Sequence, residues 1–427
     1  MAYRALLRVL LFSAALTLAA HAEDRYELEP IRYSDSVPDN PVERLATELQ
    51  QGAESLAVDA RFGYLPAILE RLGVPVSSQV LVFSKTSLQR QSISPVNPRA
   101  IYFNDDVYVG TVPGGEYIEL SAADPELGAV FYSMPLRGEG SPVITRETHT
   151  CLQCHATSMT NDLPGHVMRS VFTDAGGQPI LKAGSGVTTQ TTPFGERWGG
   201  WYVTGRHGAA RHRGNTIAVE TETDAELDIE AGANVVLLED RITIDRYLAP
   251  GSDIVALMVL AHQTEMHNRF TQAEYAARMA LHDQQVMDGL LGRSGDTLSA
   301  STRRRIDTAA EKVAEYMLFM GEPELEAPVS GTSGFAEEFE QAGPRDSQGR
   351  SLRDLDLTTR LFKFPLSYLV YSPQFAGLPD EMKSVVFRKL WDSLSGAVPS
   401  ALTPEQRRAI VEIVRDTLPE LPPYWKI

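Results

Sequence analysis

Residues 100–112, AIYFNDDVYVGTV, set two runs rich in β-branched and aromatic residues on either side of Asn104-Asp105-Asp106. Side chains of that kind favour a pleated, half-buried surface, and the Asn/Asp cluster favours a turn, so the stretch predicts two strands joined by a short connection. Asp105 and Asp106 therefore read as turn residues rather than as a paired general acid and base. Working outward, SQVLVFS (78–84), EYIELS (116–121) and GAVFYSM (128–134) have the same character, and Pro113-Gly114-Gly115 supplies another turn. The segment from Val76 to Tyr132 is predominantly β.

Upstream, Glu23 to Asn40 is polar and reads as an extended arm, and Pro41 opens a stretch with helical spacing. Downstream, residues 169–185 read as a hairpin with Ala175-Gly176-Gly177 at its tip. From about Asp245 the pattern becomes helical, with Ser252 as N-cap of a long helix running towards Leu291 and a second helix after Ser301. Residues 322–350, rich in Pro, Gly, Ser and Glu, read as a linker or surface loop. Near the C-terminus Thr403 and Gln406 form a capping box around Pro404. The expected class is α+β, with an arm and helix over 23–75, a β-rich domain over 76–240 and a mainly helical domain over 241–427.

The first 22 residues carry a basic lead with Arg4 and Arg8, an apolar run from Val9 to Ala20, and the small-x-small sequence Ala20-His21-Ala22. This is the layout of a signal peptide cleaved after Ala22, and it predicts a periplasmic or secreted protein. The apolar run is shorter than a membrane span needs, and the next candidate, starting at Asp253, is interrupted by His262 and Glu265. No stable span is expected once the signal is removed. The net charge of −17 argues against nucleic acid and anionic membranes as partners, and suits a basic redox partner protein.

The only two cysteines lie in CLQCH, Cys151 to His155. A disulfide across so short a loop would remove little chain entropy. A zinc site would need further ligands from a second cluster, and there is no third cysteine. A redox dithiol wants the pair at the start of a helix after a strand, which TRETHT before it and ATSMTNDLPG after it do not supply. Covalent haem attachment uses every residue: two thiols spaced to reach the vinyl groups, and a following histidine to bind iron.

In Cys151, Cys154 and His155 the chain resembles c-type cytochromes, a likeness that covers five of 427 residues. The resemblance implies one haem c held by thioether bonds from Cys151 and Cys154, with His155 as the proximal iron ligand. The broad layout is similar to that of large exported proteins carrying a cytochrome c-type motif, not to a small all-α cytochrome c, and it implies a haem-bearing β-rich half followed by a helical half. Small cytochromes c take their second axial ligand from a methionine several dozen residues downstream, whereas here none occurs between Met168 and Met258.

The expected distal candidates are therefore, in order, His207, His212, His262, and then Met159 and Met168. His207 and His212 sit in a Gly- and Arg-rich loop in which Arg206, Arg211 and Arg213 can pair with propionates, and Trp198 and Trp201 just before it can pack on a porphyrin. His262 falls on the apolar helix face with Val255, Met258, Val259, Met266 and Phe270, which also fits a hydrogen-bonded core histidine. His149 and His166 are expected at the rim of the motif. The function implied is haem binding and electron transfer with a redox protein or a small-molecule donor or acceptor. The alternatives are a haem-dependent oxidoreductase and a haem-based sensor.

Overall fold

A computed structural model describes residues 24–138, 140–294 and 297–426; the segment read as a signal peptide lies outside them. After the arm come α1 (Pro41–Gln50) and α2 (Leu65–Arg71), then strands β1 (Val80–Val82), β2 (Arg99–Phe103), β3 (Val107–Thr111), β4 (Tyr117–Asp124), β5 (Gly128–Pro135) and β6 (Thr145–Arg146). These six form one antiparallel sheet in sequence order. The β2–β3 connection is the expected turn: the Asn104 side-chain oxygen accepts from the backbone N–H groups of Asp106 and Val107. This local bonding offers the backbone a turn in place of the ladder.

Register sorts the strands into two faces. Ile101 pairs with Gly110, Tyr108 with Ser121, Gly110 with Glu119, and Ser121 with Phe131, so these residues share one face. The opposite face presents Ala100, Tyr102, Val109, Ile118, Leu120, Val130 and Tyr132 to a core closed by Ile31 and Tyr33 of the arm and by Val42, Leu45, Ile68 and Leu69 of α1 and α2. The first face, with its glycine and charged residues, is covered by the chain beyond β6.

The turn α3 (Leu152–His155) leads into two short paired strands, β7 (Arg169–Val171) and β8 (Ser185–Val187), and then into the small hairpin of β9 (Val219–Glu220) and β10 (Ala225–Glu226). The helical half begins with α4 (Ile254–Leu291), 38 residues long and stopped by Gly292 in the left-handed conformation. It is followed by α5 (Ala300–Met317), α6 (Phe335–Gln341), α7 (Pro373–Ala376), α8 (Asp380–Ser395) and α9 (Pro404–Thr417). The capping box at Thr403 and Gln406 is present. The protein is thus α+β, with its sheet in the N-terminal half and its long helices in the C-terminal half.

Two local expectations change. The N-cap of α4 is Asp253, not Ser252: Asp253 Oδ1 accepts from Val255 and Ala256, while the Ser252 hydroxyl donates to the Tyr202 carbonyl and accepts from Leu81 N–H, tying the helix start to β1. The stretch 322–350 is not a plain linker, because it contains α6, whose Phe335 and Phe339 enter the main core. α4 is buried on every side from Ile254 to Asn268. It runs between the sheet and the other helices, and one core takes in Val80, Val82 and Phe103 of the sheet together with α4, α5, α8 and α9.

Among the described residues no helix is long and apolar enough to cross a membrane.

Candidate haem site

Cys151 to His155 form a single helical turn, anchored by the buried Leu152 in the sheet and arm core. Past it the chain reverses. Thr157 and Thr160 make a capping box, and Asn161 and Asp162 adopt left-handed conformations. The reversal returns Gly165 to His155, where two bonds run in opposite directions. Gly165 N–H donates to the His155 carbonyl at 2.9 Å, and His155 Nδ1–H donates to the Gly165 carbonyl at 2.9 Å. A carbonyl can only accept, so the proton sits on Nδ1 and Nε2 keeps its lone pair. This is the tautomer a metal-binding histidine needs, fixed as such histidines usually are. Burial also holds the imidazole below its ordinary pKa, in the neutral form.

The motif opens on a cavity of about 370 Å³ whose lining includes Cys151, Cys154 and His155, within the range of small-molecule and cofactor sites. The polar face of the sheet forms one wall, with Arg99, Tyr108, Gly110, Glu119, Ser121 and Phe131; Leu260 and Thr264 of α4, Met168 and Trp201 form others. The Phe131 ring lies 4.6 Å from that of His155. Arg99 pairs with Glu119 at 2.5 Å, and its guanidinium occupies the space above Gly110 where a side chain would stand. Arg90 and Arg99 give this lining cationic groups that a carboxylate-bearing cofactor could engage, Arg99 being shared with Glu119.

The two thiols are free. Cys151 is partly buried, and desolvation, reinforced by Glu147 and Glu119, pushes its thiol up to about 12. A redox dithiol needs the opposite, a thiol lowered by a helix N-terminus or a cation. Among the described residues no three His, Cys, Asp or Glu side chains gather as a metal-ion site. The donor set does fit haem c: two thiols and an imidazole with a free Nε2 line one cavity with aromatic walls and an arginine.

The distal candidates fall in different places. His207 is buried with both nitrogens engaged: Nδ1 donates to the Ala210 carbonyl and Nε2 accepts from Asn234 N–H. His212 accepts from Gly214 N–H through Nδ1, and its ring packs against Trp198 and Phe194. These two histidines and Trp198 make a cluster within their own loop and do not line the cavity. Arg206 is exposed, Arg211 is held by Glu230, and Arg213 lies over Phe172. Of this stretch only Trp201 reaches the cavity, its Nε1–H bonded to the Arg169 carbonyl at 2.7 Å.

His262 points inward as its periodicity requires, but it bonds Gln190 Oε1 at 2.5 Å and the Ser367 hydroxyl at 2.8 Å. It is a satisfied core histidine. The cavity instead contains His166 and Met168. His166, expected at the rim, is buried in the wall. Its Nε2 meets the Ser121 hydroxyl at 3.0 Å, its Nδ1 has no partner, and Asn268 grips its backbone N–H and carbonyl.

The sheet contribution was hidden in the sequence because Arg99, Gly110, Glu119 and Ser121 look like the solvent-facing half of an alternating pattern. The readable hint was a glycine in mid-strand between two charged strands, which marks a close approach.

Comparison with protein-family models, with curated proteins and with solved structures finds no match for this chain.

Proposed function

We propose that the protein is exported and carries one haem c, attached through Cys151 and Cys154 with His155 as proximal ligand, and that it transfers electrons. The observation that carries this reading is the His155 Nδ1–H bond to Gly165 at the mouth of a cavity that also receives both thiols. The haem would supply a one-electron couple. The chain's own residues orient the imidazole through Gly165, pack Phe131 against it and place Arg99, paired with Glu119, in the wall of the cavity that would hold the haem. The partner is a redox protein or a small-molecule donor or acceptor, and the acidic chain favours a basic protein partner.

The test is maturation of the full chain in a host with haem-attachment machinery. The expected product has a c-type pyridine haemochrome and a mass increase that survives denaturation, both lost in the Cys151→Ala, Cys154→Ala double variant. Unchanged spectra and mass in that variant would refute attachment. An electron carrier further predicts a low-spin iron indifferent to CO and cyanide.

A further inference from the structure

A second cavity, of about 470 Å³, opens beside the β2–β3 turn and is lined by Asp105, Asp106, Phe103, Phe335, Phe339 and Arg353. Its charges do not cancel. Arg353 is committed to Asp105 and is held between the rings of Phe339 and Tyr368, 4.6 and 4.5 Å from its guanidinium carbon. Asp106 is left over: its Oδ1 is buried without a hydrogen-bond partner among the described residues. Exposed Glu70 and Glu338 stand at the same cavity and add to the negative field. A buried carboxylate oxygen without a donor is costly, and aromatic faces attract cations.

We propose that this cavity binds a small organic cation, its ammonium group paired with Asp106 and its hydrocarbon part against Phe103, Phe335 and Phe339. An anion would meet three carboxylates and an arginine already taken. A bare metal ion would find no cluster of ligands among the described residues, and the aromatic walls would contribute nothing to it. Gln263 joins this cavity to the first. It lines the second and donates to the Tyr108 hydroxyl, which belongs to the first, at 2.9 Å. The two cavities are thus one hydrogen bond apart, although the binding itself does not depend on haem.

The experiment is calorimetric titration of the full chain at pH 8 with benzylamine, 2-phenylethylamine and phenyltrimethylammonium, and with benzyl alcohol and benzoate as neutral and anionic counterparts. One cation per chain is expected, at least tenfold tighter than either counterpart. Asp106→Asn, which keeps the shape and stays folded by circular dichroism, should lose tenfold or more in affinity, and Phe339→Leu should lose less. Binding should persist in the Cys151→Ala, Cys154→Ala chain, so that failure of the haem reading and failure of this one are separable. Equal affinity for benzyl alcohol, unchanged affinity in Asp106→Asn, or no binding of any of the three cations would overturn the proposal.

Discussion

The Nδ1–H of His155 donates to the carbonyl oxygen of Gly165 across 2.9 Å, and the nine-residue loop between them is built to make that possible. Gly165 has no room for a side chain: a Cβ there would come 2.5 Å from Asn268 Oδ1 and 2.9 Å from Thr160 Cγ2. Gly165→Ala must therefore displace the asparagine that grips His166 or move the carbonyl that orients His155. The expected outcome is a loss of about 1–3 kcal/mol in stability, read by urea unfolding. In the haem-bearing protein the midpoint potential should also rise, because a weakened Nδ1–H bond makes the imidazole a poorer donor to ferric iron. A potential unchanged in a folded variant would show that this bond does not tune the site.

For the proposed haem, the cavity wall offers His166 and Met168 as candidates for the sixth iron position. His166 carries a buried nitrogen without a partner, whereas both nitrogens of His207 and His262 are engaged. His166→Ala is expected to turn a low-spin ferric spectrum high-spin and to admit cyanide, while Met168→Ala and His207→Ala leave it low-spin. Electron paramagnetic resonance of the three variants checks this directly. A high-spin shift in Met168→Ala alone would transfer the role to the thioether.

Local features were readable where one residue type sufficed for the job. The Asn104-Asp105-Asp106 turn, the capping box at Thr403 and the inward face of His262 follow from short-range bonding and periodicity. Whatever depended on distant partners was not readable. His207 and His212 looked like ligands because they are histidines beside glycines and arginines, yet Ala210, Asn234 and Gly214 absorb three of their four nitrogens. His166 looked like a rim residue because nothing nearby in sequence reveals that Asn268 and Ser121 draw it inside. The face of β2 to β5 that lines the cavity alternates as a solvated face would, since a binding cavity and solvent both call for polar residues.

Asp253 connects parts of the chain that sequence proximity does not. One carboxylate oxygen caps α4, and the other accepts from the N–H groups of Thr332 and Ser333 and from the Ser333 hydroxyl. Asp253→Ala strands buried donors at the start of α4 and part-buried ones at Thr332 and Ser333, and is expected to cost about 3 kcal/mol in urea unfolding, more than a helix cap alone. Asp253→Asn retains an accepting oxygen for only one of the two sets and should fall between the wild type and the alanine variant. Equal costs for the two variants would mean that the loop from Thr332 is held by other contacts.

Glu274, midway along α4, is almost fully buried, with Oε2 unpartnered and Arg278 Nε at 3.8 Å. Desolvation, with a smaller contribution from Glu126 and Asp124, raises its carboxyl from 4.5 to about 8 against the opposing pull of Arg278. In the unfolded chain the group ionises near its ordinary value, so between about pH 4.5 and 8 the folded state holds a proton that the unfolded state has lost. Stability contributed by this residue therefore falls as pH rises across that window and levels off above it. Glu274→Gln removes the dependence while keeping the shape. The variant should match the wild type near pH 4 and exceed it near pH 8.5 by on the order of a few kcal/mol, measured as the difference in urea midpoints at the two pH values. A gap between variant and wild type that does not widen with pH would show that Glu274 is ionised in the folded protein, stabilised by Arg278.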